Sequence, residues 1–128
     1  MSRKSKGINA ERELIHRFWA AGWAAIRVAG SGSSKYPSPD VLASNNVRKL
    51  AIECKATKDN SKYFTKVEIS ELKKFSIAFG AESWVGVRFD NKGWYFLTLE
   101  DIEETDKSYL VNFETVKNKG LIFEELIK

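Results

Sequence analysis

Apolar residues recur along the chain at two spacings. Within residues 10–21, Leu14, Ile15 and Phe18 fall on one helical stripe, with Asn9 as a cap before it and Gly22 just past its end. Glu11 stands three, four and seven residues before those positions and so shares the stripe. Arg12, Glu13, His16 and Arg17 lie off its centre, and His16 reads as a surface residue. Residues 23–28 follow as a strand. Residues 41–43 form a short buried strand, Ser44-Asn45-Asn46 a turn, and residues 50–57 a second strand. With a period of two, Leu50, Ile52, Cys54 and Ala56 point one way. Glu53 and Lys55 point the other, roughly 6.6 Å apart along the backbone.

Residues 58–62 read as a polar loop. Thr65 and Glu68 fit a capping box that opens a helix over residues 66–79, stopped by Gly80, with Ile69, Leu72, Phe75, Ile77 and Phe79 as its apolar side. Residues 84–89 and 94–99 make a hairpin around Asp90-Asn91-Lys92-Gly93. The acidic residues 101–106 are a short helix or loop, residues 109–113 a late strand, and residues 121–128 a terminal helical turn or two. The order α-β-β-β-α-β-β predicts an α/β domain, a mixed sheet with helices packed on it. One domain spans residues 1–128, with residues 1–7 (Arg3, Lys4 and Lys6 among them) as a flexible basic arm.

Composition narrows the class. With 43% hydrophobic and 30% charged residues the chain reads as soluble and globular. No run approaches the ~18 apolar residues of a membrane span. The N-terminal residues lack the apolar segment of a secretory signal, and the single cysteine, Cys54, forms no internal disulfide. A cytoplasmic protein is expected, with Cys54 as a small buried side chain. Charge is uneven: residues 1–60 carry a net +6 and residues 61–128 a net −2. A basic half that also holds clustered acids is either a solvated surface or a phosphate-backbone binder around a cation site.

Residues 29–38 are small and hydroxyl-rich. They lack a strand-turn-helix context and a Gly-Lys-Ser/Thr ending, so no nucleotide cofactor is expected. They are either a plain surface loop or a segment that settles on a phosphate backbone. Pro39-Asp40 follows directly, so Asp40 opens one strand while Glu53 and Lys55 lie on its neighbour. Glu11 faces them from the first helix, either as a helix-dipole acid or as a third site acid. Glu53 and Lys55 are either a salt-bridged pair on an exposed face or part of a site. Asp40, Glu53 and Glu11 together offer oxygen ligands, which select a hard cation such as Mg²⁺ or Mn²⁺ over zinc. Lys55 would orient a water or stabilise the charge that develops at phosphorus.

The pattern Pro39-Asp40…Glu53-Cys54-Lys55 resembles that of the restriction-endonuclease-like nucleases. The closer likeness is to the archaeal-type Holliday junction resolvases, which some archaeal viruses also encode. It covers most of the chain and is strongest in residues 7–14 (Gly-x-x-Ala-Glu-Arg-Glu-Leu), 22–27, 31–40 and 52–57. The resemblance implies a restriction-endonuclease-like, mixed five-stranded sheet flanked by helices. It implies Glu11, Asp40 and Glu53 as metal-binding acids, Lys55 as the catalytic lysine and the Cys54 carbonyl as a further ligand, with Mg²⁺ as cofactor and Mn²⁺ as substitute. Ser31 falls in the loop whose hydroxyl assists catalysis in some members. Arg12 and Arg27 fall where members carry arginines for junction binding or cleavage. Ser33, Ser34, Lys35, Arg3, Lys4 and Lys6 complete the expected DNA-binding set.

The likeness further implies a homodimer with two active sites, each nicking one of two opposed strands of a four-way junction and leaving 5′-phosphate and 3′-hydroxyl ends. Trp84, Trp94 and Phe96 belong either to the core or to the dimer interface. The work would be done in an archaeal cell, or in its host cell if the protein is viral. Where many relatives in the wider superfamily carry Gln on the helix after the lysine, this chain has Glu68, whose role is left open. Two other readings stand beside this one. One is a restriction- or repair-type nuclease of the same superfamily; the other is a non-catalytic DNA-binding module, which retention of all four catalytic-type residues argues against.

Overall fold

Ser2 caps the first helix, α1 (Arg3–Ala20), its hydroxyl accepting the Ser5 amide at 3.1 Å. The computed structural model describes residues 2–30 and 35–128. The expected flexible arm is therefore corrected: Arg3, Lys4 and Lys6 are helical, and Lys6 is tied to Asp90 at 2.7 Å. The helix expected from residue 10 behind an Asn9 cap starts earlier, because the Ser2 cap carries it through Gly7. Ala10, Leu14 and Phe18 form the buried stripe, Ile15 packs at its margin, and His16 is exposed.

The main sheet has five strands: β1 (Ala24–Arg27), β2 (Val41–Ser44), β3 (Lys49–Thr57), β5 (Glu82–Phe89) and β6 (Gly93–Thr98), in the order β1-β2-β3-β5-β6. All neighbours are antiparallel except β3 and β5. A parallel pair needs a crossover, and α2 (Lys66–Phe79) lies in it. The capping box of α2 forms as expected, and Gly80 closes it at φ +81°. The β2–β3 turn is held by Asn45, whose side-chain oxygen accepts the amides of Val47 and Arg48, with Asn46 left-handed at φ +79°.

Each face of the sheet has its own core. Toward α1, Leu14 and Phe18 meet Leu50, Ile52, Cys54, Trp84, Trp94 and Phe96. Toward α2, Ile69 and Leu72 meet Ala51, Val85, Val87 and Leu97. The alternation along β3 is thus the expected one, and the three aromatics Trp84, Trp94 and Phe96 are buried in the core. Gly86 lies opposite Phe96 across β5 and β6, where a Cβ would come within 2.8 Å of the Phe96 ring.

Further expectations fail. Ile77 and Phe79 are exposed, at 74% and 50%, whereas Ser76 is buried with its hydroxyl on the Leu72 carbonyl. At 100° per residue Ile77 falls about 140° from Leu72, off the buried face. Phe75 stays packed on the core, and Phe79 shares its stripe but stands at the last residue of the helix, stacked on Phe75. The expected polar loop at 58–62 runs into a strand, β4 (Ser61–Thr65), which pairs with β8 (Ser108–Asn112). β8 in turn pairs with β7 (Glu103–Glu104), a strand within residues 101–106 that were expected as helix or loop, to complete a second, three-stranded sheet. Two short helices, α3 (Phe113–Lys119) and α4 (Phe123–Leu126), finish the fold. No helix among the described residues is long and apolar enough to cross a membrane.

Candidate active site

Asp40 stands at the mouth of β2 with its backbone clamped on both sides. Its amide donates to the Ile52 carbonyl at 3.1 Å, and its carbonyl accepts the Val28 amide at 2.8 Å. Pro39, buried just before it, fixes the entry of the chain. The side chain turns inward, where Oδ2 accepts the Cys54 amide at 2.8 Å. One carboxylate thereby bridges the start of β2 to the middle of β3.

Glu53 and Lys55 project from β3 on the α2 side. Burial, reinforced by the neighbouring Asp40 and Glu68 carboxylates, pushes the Glu53 carboxyl up to about 9; Lys55 opposes the shift and Glu11 adds to it. Lys55 donates to Glu68 Oε2 at 2.7 Å, and its ammonium lies 5.7 Å from the centre of the Phe64 ring. Glu68 serves two masters: its other oxygen, Oε1, accepts the Thr65 amide in the capping box at 2.8 Å. Burial alone would raise Glu68, but the Lys55 ammonium and the Thr65 amide outweigh it and lower its pKa. The residue left open in the sequence is a clamp that fixes the lysine.

Glu11 approaches from α1. Burial pushes its carboxyl up to about 7, Asp40 adding to the shift and Arg27 opposing it. Arg27, the last residue of β1, donates to Glu11 Oε1 at 2.9 Å. The three acids are thus electrostatic neighbours, as their spacing implied. Among the described residues, however, no three His, Cys, Asp or Glu side chains close around a point that could hold a metal ion. Glu11 is turned to Arg27 and Asp40 to the Cys54 amide.

The donor set still fits a hard cation. Oxygen is its only ligand chemistry, and two carboxylates near the ion suffice for Mg²⁺. Glu11 and Glu53, each pushed up by burial and by the Asp40 carboxylate, are acids whose ionisation a bound positive charge would favour. Two residues before Asp40, Ser38 Oγ is a buried side-chain oxygen without a hydrogen-bond partner among the described residues.

Of the other expected residues, Lys4 and Arg12 are exposed on α1, and Lys35 is exposed with its ammonium 5.8 Å from the centre of the Tyr36 ring. Ser31, Ser33 and Ser34 lie outside the described residues. A polar cluster beside the site has no signature in the sequence. Glu13 on α1 accepts from Arg88 Nε at 3.1 Å and from Trp94 Nε1 at 3.1 Å, and Arg88 also reaches Asp90 at 3.7 Å. Glu13 lies beyond the centre of the apolar stripe, and only the approach of β5 and β6 to α1 gives it partners.

Comparison with known proteins places this geometry. The family model described as archaeal Holliday junction resolvase (Hjc) matches residues 2–128. The crossover junction endodeoxyribonuclease Hjc of Archaeoglobus fulgidus is 42% identical over 123 residues, covering 96% of this chain and 90% of that protein. The protein of the same name from Sulfolobus acidocaldarius is 34% identical over 131 residues, covering 100% of this chain and 90% of the relative. The 1.6 Å structure of A. fulgidus Hjc, described as a Holliday junction resolvase from an archaeal hyperthermophile, superposes with a TM-score of 0.86 at 38% identity, covering 91% of this chain and 94% of that one. The restriction-endonuclease-like fold expected from the sequence is the fold observed.

Proposed function

The chain belongs to the archaeal Holliday junction resolvase family, and on that basis we propose that Asp40, Glu53 and Lys55 are the centre at which it hydrolyses the backbone of four-way DNA junctions. It is a crossover junction endonuclease, and enzymes of this family are metal-dependent. The carrying observation is the clamped triad: Asp40 pinned to Val28 just past β1 and to β3, Glu53 beside it, and Lys55 fixed by Glu68.

Asp40, Glu53, Glu11 and the Cys54 carbonyl would hold the divalent cation, Mg²⁺ with Mn²⁺ as substitute. When bound, that ion supplies Lewis-acid polarisation of the scissile phosphate and screens the charge developing there. Lys55 brings a positive charge to the same phosphate, and Glu68 keeps its ammonium from wandering. Arg27 orients Glu11 by their hydrogen bond. Ser31 is assigned to assist catalysis through its hydroxyl. Arg12, Arg27, Ser33, Ser34, Lys35, Arg3, Lys4 and Lys6 are assigned to the DNA backbone, with recognition by junction shape rather than base sequence.

Two opposed strands require two centres, and the proposed assembly is a homodimer. An apolar groove lined by Ala24, Ile26, Leu42 and Phe79, with Ile26 exposed at 59%, supports a second copy packing on this face. The expected site of action is the cytoplasm of an archaeal cell, or of the host if the protein is viral.

The test is an end-labelled immobile four-way junction with Mg²⁺, beside a linear duplex of the same sequence. Paired nicks in opposed strands of the junction alone are expected, with 5′-phosphate and 3′-hydroxyl ends. Equal cutting of both substrates would replace this reading with a restriction- or repair-type nuclease. Junction binding without cutting, in Mg²⁺ and in Mn²⁺, would leave a binding module.

A further inference from the structure

Beside the centre runs a groove of about 390 Å³ between the N-terminal turns of α1 and the β3–β4 turn. Among the described residues Arg3, Lys6, Lys55, Lys58 and Lys62 line it, against a single acid, Asp59. Lys6 and Lys55 have carboxylate partners, whereas Arg3, Lys58 and Lys62 make no ion pair among the described residues. The turn that carries Lys58 is held in place. Thr57 Oγ1 accepts the Asp59 amide at 3.0 Å, the Thr57 carbonyl accepts the Asp90 amide at 2.9 Å, and the Asn60 carbonyl accepts the Phe113 amide at 2.8 Å.

Two features of α1 run against the stability of the free protein. Its first turns carry Arg3, Lys4 and Lys6 and no acid, although the positive end of a helix dipole favours acids there. Gly7 sits inside the helix, where glycine is unfavourable, and a Cβ at that position would meet nothing within 4 Å among the described residues. No contact with those residues calls for a glycine. Yet Gly7 lies on the groove wall, on the helix turn beside Cys54–Thr57. Uncompensated cations and a bare backbone patch make sense together if something anionic comes close to the helix itself.

We propose that this groove seats the DNA backbone flanking the scissile phosphate, with Lys58 and Lys62 binding its phosphates and Gly7 permitting the close approach of the sugar-phosphate chain. This rests on the junction-cleaving function proposed above and adds to it a strand path leading away from Lys55 along the β3–β4 turn. The path uses two lysines outside the expected DNA-binding set.

The test measures junction affinity without divalent cation, so that nothing is cut, at several salt concentrations, alongside unfolding temperature. Lys58→Ala/Lys62→Ala should weaken binding about tenfold or more and lower the slope of log affinity against log salt by about 2, with the melting temperature unchanged. The exposed pair Lys117→Ala/Lys119→Ala on α3 should leave the slope as it is. Gly7→Ala should melt about 2–4 °C higher, because alanine suits a helix better, yet bind the junction at least about fivefold more weakly with the wild-type salt slope. If Gly7→Ala binds as wild type does, or the two-lysine variant keeps the wild-type slope, the inference is overturned while the proposed function stands. A wild-type protein that fails to bind junctions overturns both.

Discussion

Glu53→Gln should melt higher than the wild-type protein near neutral pH in the absence of metal, and should cut junctions a thousandfold or more slowly. The acid titrates near 9 in the folded chain against an ordinary value of 4.5. A carboxyl whose folded pKa is raised holds its proton more tightly in the fold. Its contribution to stability is therefore fully present below about 4.5 and is lost progressively as pH rises toward 9. At pH 7.5 much of that loss has been incurred, and a glutamine, which cannot ionise, avoids it. Allowing for partial solvent access, the gain is about 1–3 kcal/mol, or roughly 4–10 °C. Thermal melts in a chelator from pH 4 to 9 should show the two proteins converging at the acidic end and separating as pH rises. A variant that melts at or below wild type throughout would refute the strained-acid account. Less than a tenfold loss of nicking would remove Glu53 from the catalytic centre. Stability gained where activity is lost is the common signature of a functional site.

Asp40 should behave differently, because it combines a charge with a structural hydrogen bond. Both Asp40→Asn and Asp40→Ala remove the negative charge that raises Glu53 and Glu11. Only asparagine keeps an oxygen for the Cys54 amide. The electrostatic relief is common to the pair, so their difference isolates the hydrogen bond. Leaving that buried amide without a partner costs about 1–3 kcal/mol. Urea melts at pH 7.5 should rank Asp40→Asn above Asp40→Ala by that margin, while both lose nicking by a thousandfold or more. Equal stabilities would mean that the Asp40–Cys54 bond contributes nothing. Junction cutting by Asp40→Asn at the wild-type rate would displace Asp40 from its proposed role.

These acids were legible in the sequence because their neighbours are local. Strand alternation separated Glu53 and Lys55 from Leu50, Ile52 and Cys54, and a helical stripe carried Glu11 inward with Leu14 and Phe18. Thr65, Glu68 and Gly80 marked both ends of α2 through caps that need no distant partner. What escaped depends on pairings far apart along the chain. β4 buries only Phe64 and exists because β8 lies beside it, Ser61 opposite Asn112 and Thr65 opposite Ser108. Glu13 acquires Arg88 and Trp94 only when β5 and β6 close on α1. The start of α1 was misplaced for another reason. Gly7 and three cations argue against a helix, yet the Ser2 cap and an anchored Lys6 sustain one. The Glu68 clamp was half visible: the cap could be seen, but the Lys55 bond on its second oxygen needs the strand to be in place.

The strand that carries Glu53 and Lys55 is the middle one of five, flanked by β2 and β5 and covered by a helix on each face. Central strands exchange their amide hydrogens only through the largest openings of a fold, whereas edges and ends open cheaply. Warming should therefore leave the backbone beneath Glu53 and Lys55 as well ordered as any part of the molecule until the domain melts as a whole. Heat inactivation becomes a single cooperative event, and the cutting centre persists for as long as the protein is folded.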